Sequence, residues 1–208
     1  GFTCNFCSNA EYMGLFYSRR IGRTPQLGNY YESIAYSADV PTNTTILGAA
    51  KVTGRTDGGL TVGLLDAVTN AEDGRYVMAP DSAPHTAAME PRTNYFVARA
   101  KQDLNHGATV IGGMVTSTVR DLSSPLLVDS LHQHAEAAGA DLLTTWDNRR
   151  YSLMVSTAFS NVAGSRQSIL LTQESSAHYF AHPDSNATSL QGWGGYLRLG
   201  KDNGDWLW

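Results

Sequence analysis

The feature that most constrains this chain is a two-residue alternation carried by segments of similar length and interrupted by tight-turn signals. In residues 46–56, Ile46, Gly48, Ala50, Val52 and Gly54 fall on one face, and Leu47, Ala49, Lys51, Thr53 and Arg55 fall on the other. That period is a strand's, with charge kept to one side. Asp57-Gly58-Gly59 is a tight turn of residues that accept positive φ, and residues 60–69 return with Leu60, Val62 and Leu64 on one face. Leu65-Asp66 breaks this alternation and marks a bulge or a strand end. The unit recurs in form. Residues 95–103 place Phe96, Ala98 and Ala100 opposite Tyr95, Val97, Arg99 and Lys101, turn at Asn105-His106-Gly107, and return over 109–120. A third pair runs over 133–146, turns at Asp147-Asn148-Arg149 and returns over 151–161. In that return Tyr151, Leu153, Val155, Thr157 and Phe159 oppose Ser152, Met154, Ser156, Ala158 and Ser160. A fourth begins at 189–199 and turns at Lys201-Asp202-Asn203-Gly204, and Asp205, Trp206, Leu207 and Trp208 read as a further strand begun.

Between these pairs lie long connections at 70–93, 121–132 and 162–188, the last with a short helix expected around 167–179. Short turns therefore alternate with long loops, as they do in outer-membrane barrels. The segments match the roughly 9–11 residues a tilted strand needs to cross hydrocarbon. Charged residues are 16% of the chain, against about 25% in ordinary soluble domains. The polar face carries small residues and long cations, as a wet lumen would, whereas a small soluble barrel fills its interior with apolar side chains. The expected fold is all-β: an antiparallel up-and-down meander, part of an outer-membrane β-barrel, with the long loops on one end. About seven complete strands and an eighth begun make the chain a fragment of a larger barrel. No apolar run of about 18 residues offers a membrane-spanning helix. A net charge of −4 gives no support for nucleic-acid binding.

Residues 1–45 fit the hairpin pattern poorly and form a lead-in, with 46–208 as the barrel hairpins. Gly1-Phe2-Thr3-Cys4-Asn5-Phe6-Cys7-Ser8-Asn9 is followed by Leu15-Phe16-Tyr17-Ser18-Arg19-Arg20-Ile21-Gly22-Arg23. Further on come Gly48-Ala49-Ala50-Lys51-Val52-Thr53-Gly54-Arg55, Val62-Gly63-Leu64-Leu65-Asp66-Ala67-Val68-Thr69, Asn148-Arg149-Arg150-Tyr151-Ser152 and Gln173-Glu174-Ser175-Ser176-Ala177-His178-Tyr179-Phe180. With these the chain resembles, over nearly its whole length, the bacterial family called domain of unknown function 5916. The resemblance implies a predicted outer-membrane barrel, in proteins that usually also carry a secretion signal and a domain similar to carbohydrate-binding module family 9. It brings no settled catalytic or binding residues with it.

Several constellations are candidates for function. Cys4 and Cys7 lack the second pair a zinc site needs, so they form a local disulfide or stay two free thiols. Arg19, Arg20 and Arg23 make either a solvated basic turn or a lumenal cluster that meets acidic strand residues or an anion. Lys51, Arg55, Arg99 and Lys101 share the expected inward face and would make the lumen locally positive. His132 and His134 fall at i, i+2 on one strand face, and His85, His106, His178 and His182 are scattered. No nucleophile elbow, metalloprotease helix, phosphate loop or dinucleotide fingerprint occurs, and nothing calls for a cofactor or a metal. Asp66, Asp73, Asp81 and Glu90 are the acids available for a glycosidase pair. Tyr76, Tyr95, Tyr151, Trp146, Trp193, Trp206 and Trp208 lie mainly near strand ends, where a membrane barrel keeps its aromatic girdles. The partners expected are outer-membrane lipid and a carbohydrate or small anionic solute. The functions to separate are a pore, a surface anchor that displays a glycan-binding domain and, last, a hydrolase housed in a barrel.

Overall fold

The computed structural model describes residues 15–80, 83–176 and 182–202. The Cys4–Cys7 pair, Asp81, His178 and the strand expected at 205–208 lie outside them. In chain order the strands are β1 (Ser37–Asp39), β2 (Ile46–Arg55), β3 (Leu60–Thr69), β4 (Glu72–Val77), β5 (Pro84–Glu90), β6 (Arg92–Leu104), β7 (Thr109–Asp121), β8 (His134–Trp146), β9 (Tyr151–Ala163) and β10 (Ser189–Lys201). The helices are α1 (Gly28–Ile34), α2 (Pro125–Ser130) and α3 (Arg166–Gln173).

Seven strands form one antiparallel sheet in the order β10-β9-β8-β7-β6-β3-β2. This is the expected up-and-down meander. Among the described residues β2 and β10 are its open edges, and the sheet does not close on itself. The pairing carries one row of side chains across the molecule: Val52 opposite Leu64, then Ala98, Val115, Ala138, Phe159 and Trp193. Directly paired residues share a face, so this row defines one side of the sheet for every strand. Lys51, Arg55, Arg99 and Lys101 all lie on the other side.

The break at Leu65-Asp66 is neither a bulge nor an end. β3 pairs with β6 without a shift from Leu60 to Thr69, and the one irregularity against β2 lies between Ile46 and Gly48. Asp66 is held instead by Asn94 Nδ2, at 3.3 and 3.2 Å from its two oxygens. The tight turns behave as their residues predict. Asn105, His106 and Gly107 have φ of 51°, 55° and 82°, and Asp147, Asn148 and Arg149 have 52°, 55° and 61°. Asn and Asp tolerate this left-handed region because their short side chains bond the local backbone.

The loop end departs from expectation. The connection expected at 70–93 contains β4 and β5, which pair with β1 in a separate sheet of order β1-β4-β5. Its polar start, Glu72-Asp73-Gly74-Arg75, hid the strand period. Gly74 is required there, because a Cβ would collide with the Met89 side chain and stand 2.9 Å from Asp39 O. Leu27 and Tyr31 from the first turns, Met89 of β5 and Leu127 of α2 are buried together as a core separate from the large sheet. Ser124 caps α2 by accepting from Leu127 N at 3.3 Å, and Ser165 caps α3 by accepting from Ser168 N at 3.1 Å. The Ser165 hydroxyl also donates to Val128 O at 2.9 Å, which ties the two loop helices together. The helix expected at 167–179 is thus the shorter α3. Its end is fixed by Gln173, whose amide group bonds Asp184 N at 2.7 Å and Asp184 O at 3.0 Å. We expect Leu127→Ala to weaken this unit by about 2–5 kcal/mol. Limited proteolysis checks it: cleavage should rise between residues 24 and 40 and between 122 and 131 while β6 and β7 stay protected.

Candidate functional site

The polar face of the meander is the candidate site. At its centre Arg99 of β6 reaches over β7 to Asp141 of β8, with Nη2 at 2.7 Å from Oδ1 and 3.0 Å from Oδ2. Both side chains are nearly buried, at 11% and 6% exposed. The pair can lie flat on the sheet because Gly112 of β7 sits beneath it. A Cβ there would stand 2.5 Å from Asp141 Oδ2 and 2.7 Å from Arg99 Nη2. Towards the tight turns, Asp103 accepts from Arg55 at 2.7 Å and stands 3.5 Å from Lys101 Nζ. Of the strand cations expected to make this face positive, Arg55, Arg99 and Lys101 are matched by these carboxylates, and the middle of the face is balanced in charge. Lys51 is exposed on the edge strand β2. Sequence reading missed Asp141 and Asp103 because Arg99 and Arg55, which bind them most closely, stand far away in the chain, although their parity places them on the same face.

Residues 15–23 lie across this face. A Cβ on Gly139 of β8 would meet Leu15 Cδ1 at 2.6 Å, so the missing side chain makes the notch that Leu15 occupies. A narrow cleft beside it is lined by Leu15, Arg99, Met114, Asp141 and Ser156. Further along, Tyr17, Arg20 and Ile21 roof a cavity of about 230 Å³ floored by Tyr95, Val97, Thr116 and Thr118.

The three clustered arginines separate. Arg19 and Arg20 are exposed in the single turn Ser18–Arg20. Arg23 is half-buried, and its Nε is buried with no acceptor among the described residues. Arg120, which nothing in the sequence singled out, is in the same condition. Its Nη1 donates to His132 O at 2.8 Å, but its Nε is buried and unpartnered. The groups whose charges act on Arg120 include Tyr95, Glu90 and Arg23, and Arg120 in turn acts on His132. Of the acids first considered for a glycosidase pair, Glu90 is buried and takes Gln26 N at 2.7 Å and Gln26 Nε2 at 3.0 Å. Asp66 is held by Asn94, and Asp73 lies in β4 of the small sheet, so the structure does not bring these three together. Tyr76, expected near a membrane interface, packs in the small sheet between the rings of Tyr31 and His85.

His132 precedes β8 rather than sharing its face with His134. Its Nε2 is 2.7 Å from Thr172 Oγ1 of α3. Burial, and then the neighbouring Arg120 charge, hold its pKa below the ordinary histidine value. The unfolded chain therefore binds this proton more readily than the folded one. The contribution is intact above about pH 6.5 and is lost as pH falls through that value towards the lower folded pKa. Thermal melts at pH 8, 7, 6 and 5 should show the wild type losing more stability than His132→Gln below about pH 6.5.

The ion pair gives a second expectation. Asp141→Ala leaves Arg99 buried and unpaired, and should cost about 3–5 kcal/mol. The double variant Arg99→Met, Asp141→Leu should recover most of that loss. Denaturant titration of the refolded protein compares the wild type with the two variants.

No curated protein matches this chain, and no solved structure does. A family model does match, over residues 11–200, which takes in the meander, the small sheet and the segment lying across the polar face. The chain belongs to the family described as Domain of unknown function (DUF5916).

Proposed function

We propose that the meander is part of the wall of an outer-membrane β-barrel that passes or binds a small polar solute. In this reading the Val52–Trp193 row faces lipid and the Arg99–Asp141 face looks into the lumen. The observation that carries it is that the sheet is inside out. Val52, Leu197 and Trp193 are 63%, 68% and 85% exposed, while Asp141 and Ser152 on the opposite face are 6% and 4% exposed. A sheet folded for water buries the apolar side and leaves the polar side wet.

The apolar side has the layout of a bilayer. Along β9 the apolar run from Tyr151 to Phe159 matches the roughly 9–11 residues of a crossing strand. At the tight-turn end Trp146 stacks on Tyr151 at 5.8 Å between ring centroids, and Lys201 pairs with Tyr151. Trp193 stands near the other end. Beyond it the paired row turns polar, with Ser117, Glu136, Asn161 and Gln191. Ala98, Ala100, Gly113, Ala138 and Ala140 leave a shallow trough of about 790 Å³ between Leu64, Val115 and Phe159, a shape suited to an acyl chain. Residues 15–23 across the polar face favour a second role as an anchor, since they occupy space that an open pore would leave free.

Two substitutions in one strand test the reading. Val155 and Met154 are neighbours in β9, both half-buried, on opposite faces. Val155→Arg should destabilise the lipid-embedded protein by about 2–4 kcal/mol, and Met154→Arg by much less. Urea titration in lipid vesicles, with heat-modifiable electrophoretic migration as the sign of folding, reads both. If Val155→Arg is harmless and the protein folds without lipid or detergent, the apolar face meets water and the reading fails.

A further inference from the structure

We propose that Arg23 and Arg120, with the adjoining cavity beneath Tyr17 and Arg20, form a binding site for a small solute that carries a carboxylate or phosphate group. This deepens the lumenal reading of the polar face, on which it rests, by naming the solute class.

Three observations carry it. The first is the pair of orphan donors. Among the described residues, the Nε atoms of Arg23 and Arg120 are buried without an acceptor. In an arginine, Nε and the nearer terminal nitrogen form the side edge that grips an oxyanion in two parallel hydrogen bonds. Arg120 spends Nη1 on His132 O, and its Nε has no partner. The second is the charge balance. Among the described residues the carboxylate whose charge acts on Arg120 is Glu90, and both its oxygens already receive hydrogen bonds from Gln26. Two cations facing one committed carboxylate are costly in a half-buried setting, and an incoming anion removes that cost. The third is room. The cavity of about 230 Å³ reaches Tyr95 and Thr118, which pair directly across β6 and β7 two residues from the Thr93–Arg120 pair and on the same face of the sheet. That volume is several times the ~30 Å³ share of one water. Its lining combines two tyrosines, two threonine hydroxyls and Arg20 with apolar Leu15, Ile21 and Val97, a mixture suited to a hydroxylated molecule of monosaccharide size with one anionic group.

The test uses the whole protein refolded in detergent micelles. Glucuronate and inorganic phosphate are the probes, glucose is the neutral control, and sodium chloride is added to equal ionic strength. At least one anion should raise the melting temperature and release heat in calorimetric titration, while glucose and chloride do neither. A response to phosphate alone assigns the site to phosphate esters, and one to glucuronate alone assigns it to sugar acids. Arg120→Gln and Arg23→Gln should each weaken binding at least tenfold, and Arg120→Gln should raise the melting temperature of the unliganded protein by removing an unpaired charge. Should Arg120→Gln fail to reach the folded electrophoretic form, Arg23→Gln carries the comparison. The proposal is overturned if neither anion shifts the melt, if glucose acts as glucuronate does, or if binding survives both variants. Heat-modifiable migration reports separately on the barrel. A folded barrel with no anion response sinks the site alone, and an anion response from a protein that folds without detergent sinks the membrane reading alone.

Discussion

Register is the constraint on which everything else in this molecule depends. In a pleated sheet neighbouring side chains point to opposite faces, so a slip of one residue moves a whole strand's apolar set across the sheet. From β3 through β10 the ladders of the meander run without a shift, and the single irregularity lies at the start of β2. That continuity keeps Leu64, Val115, Phe159 and Trp193 on one side and Arg99, Asp141 and Ser152 on the other. The left-handed turns at Asn105-His106-Gly107 and Asp147-Asn148-Arg149 help set it, because turn geometry fixes which residues face each other at the start of a hairpin.

On the polar side, missing side chains matter as much as present ones. Gly112 lets Arg99 and Asp141 meet across an intervening strand, and Gly139 makes room for Leu15. Neither glycine has a positive φ. Their role is the close approach of other groups, not backbone freedom. Charge is neutralised at mid-face by Asp141 and towards the tight turns by Asp103, and is left uneven at the loop end by Arg23 and Arg120. A face that is matched at its centre and unmatched at one end gives an anion a preferred place to bind.

Much of this was legible in the sequence. The seven long strands of the meander, their tight turns and the sorting of Lys51, Arg99 and Lys101 away from Val52, Phe96 and Leu153 follow from parity alone. The small sheet was not legible, since β4 and β5 are short, polar at the start and paired with Ser37–Asp39 from far upstream. Asp66 read as a defect because an acid on an apolar face breaks the pattern, and its partner Asn94 lies on the next strand of the sheet. Arg120 was invisible as a site residue for a similar reason. Its setting comes from Arg23, Glu90 and Tyr95, which only the folded chain brings near it.

The notch at Gly139 also bears on the order of assembly. Leu15 precedes every described strand, yet the surface that receives it is built from Gly139 of β8 and from Thr157 and Ala158 of β9. Contacts so distant along the chain cannot form until the intervening hairpins have been closed. A segment that precedes the hairpins in the chain therefore settles only after β8 and β9 have paired. Until it does, the notch at Gly139 stands open on the polar face.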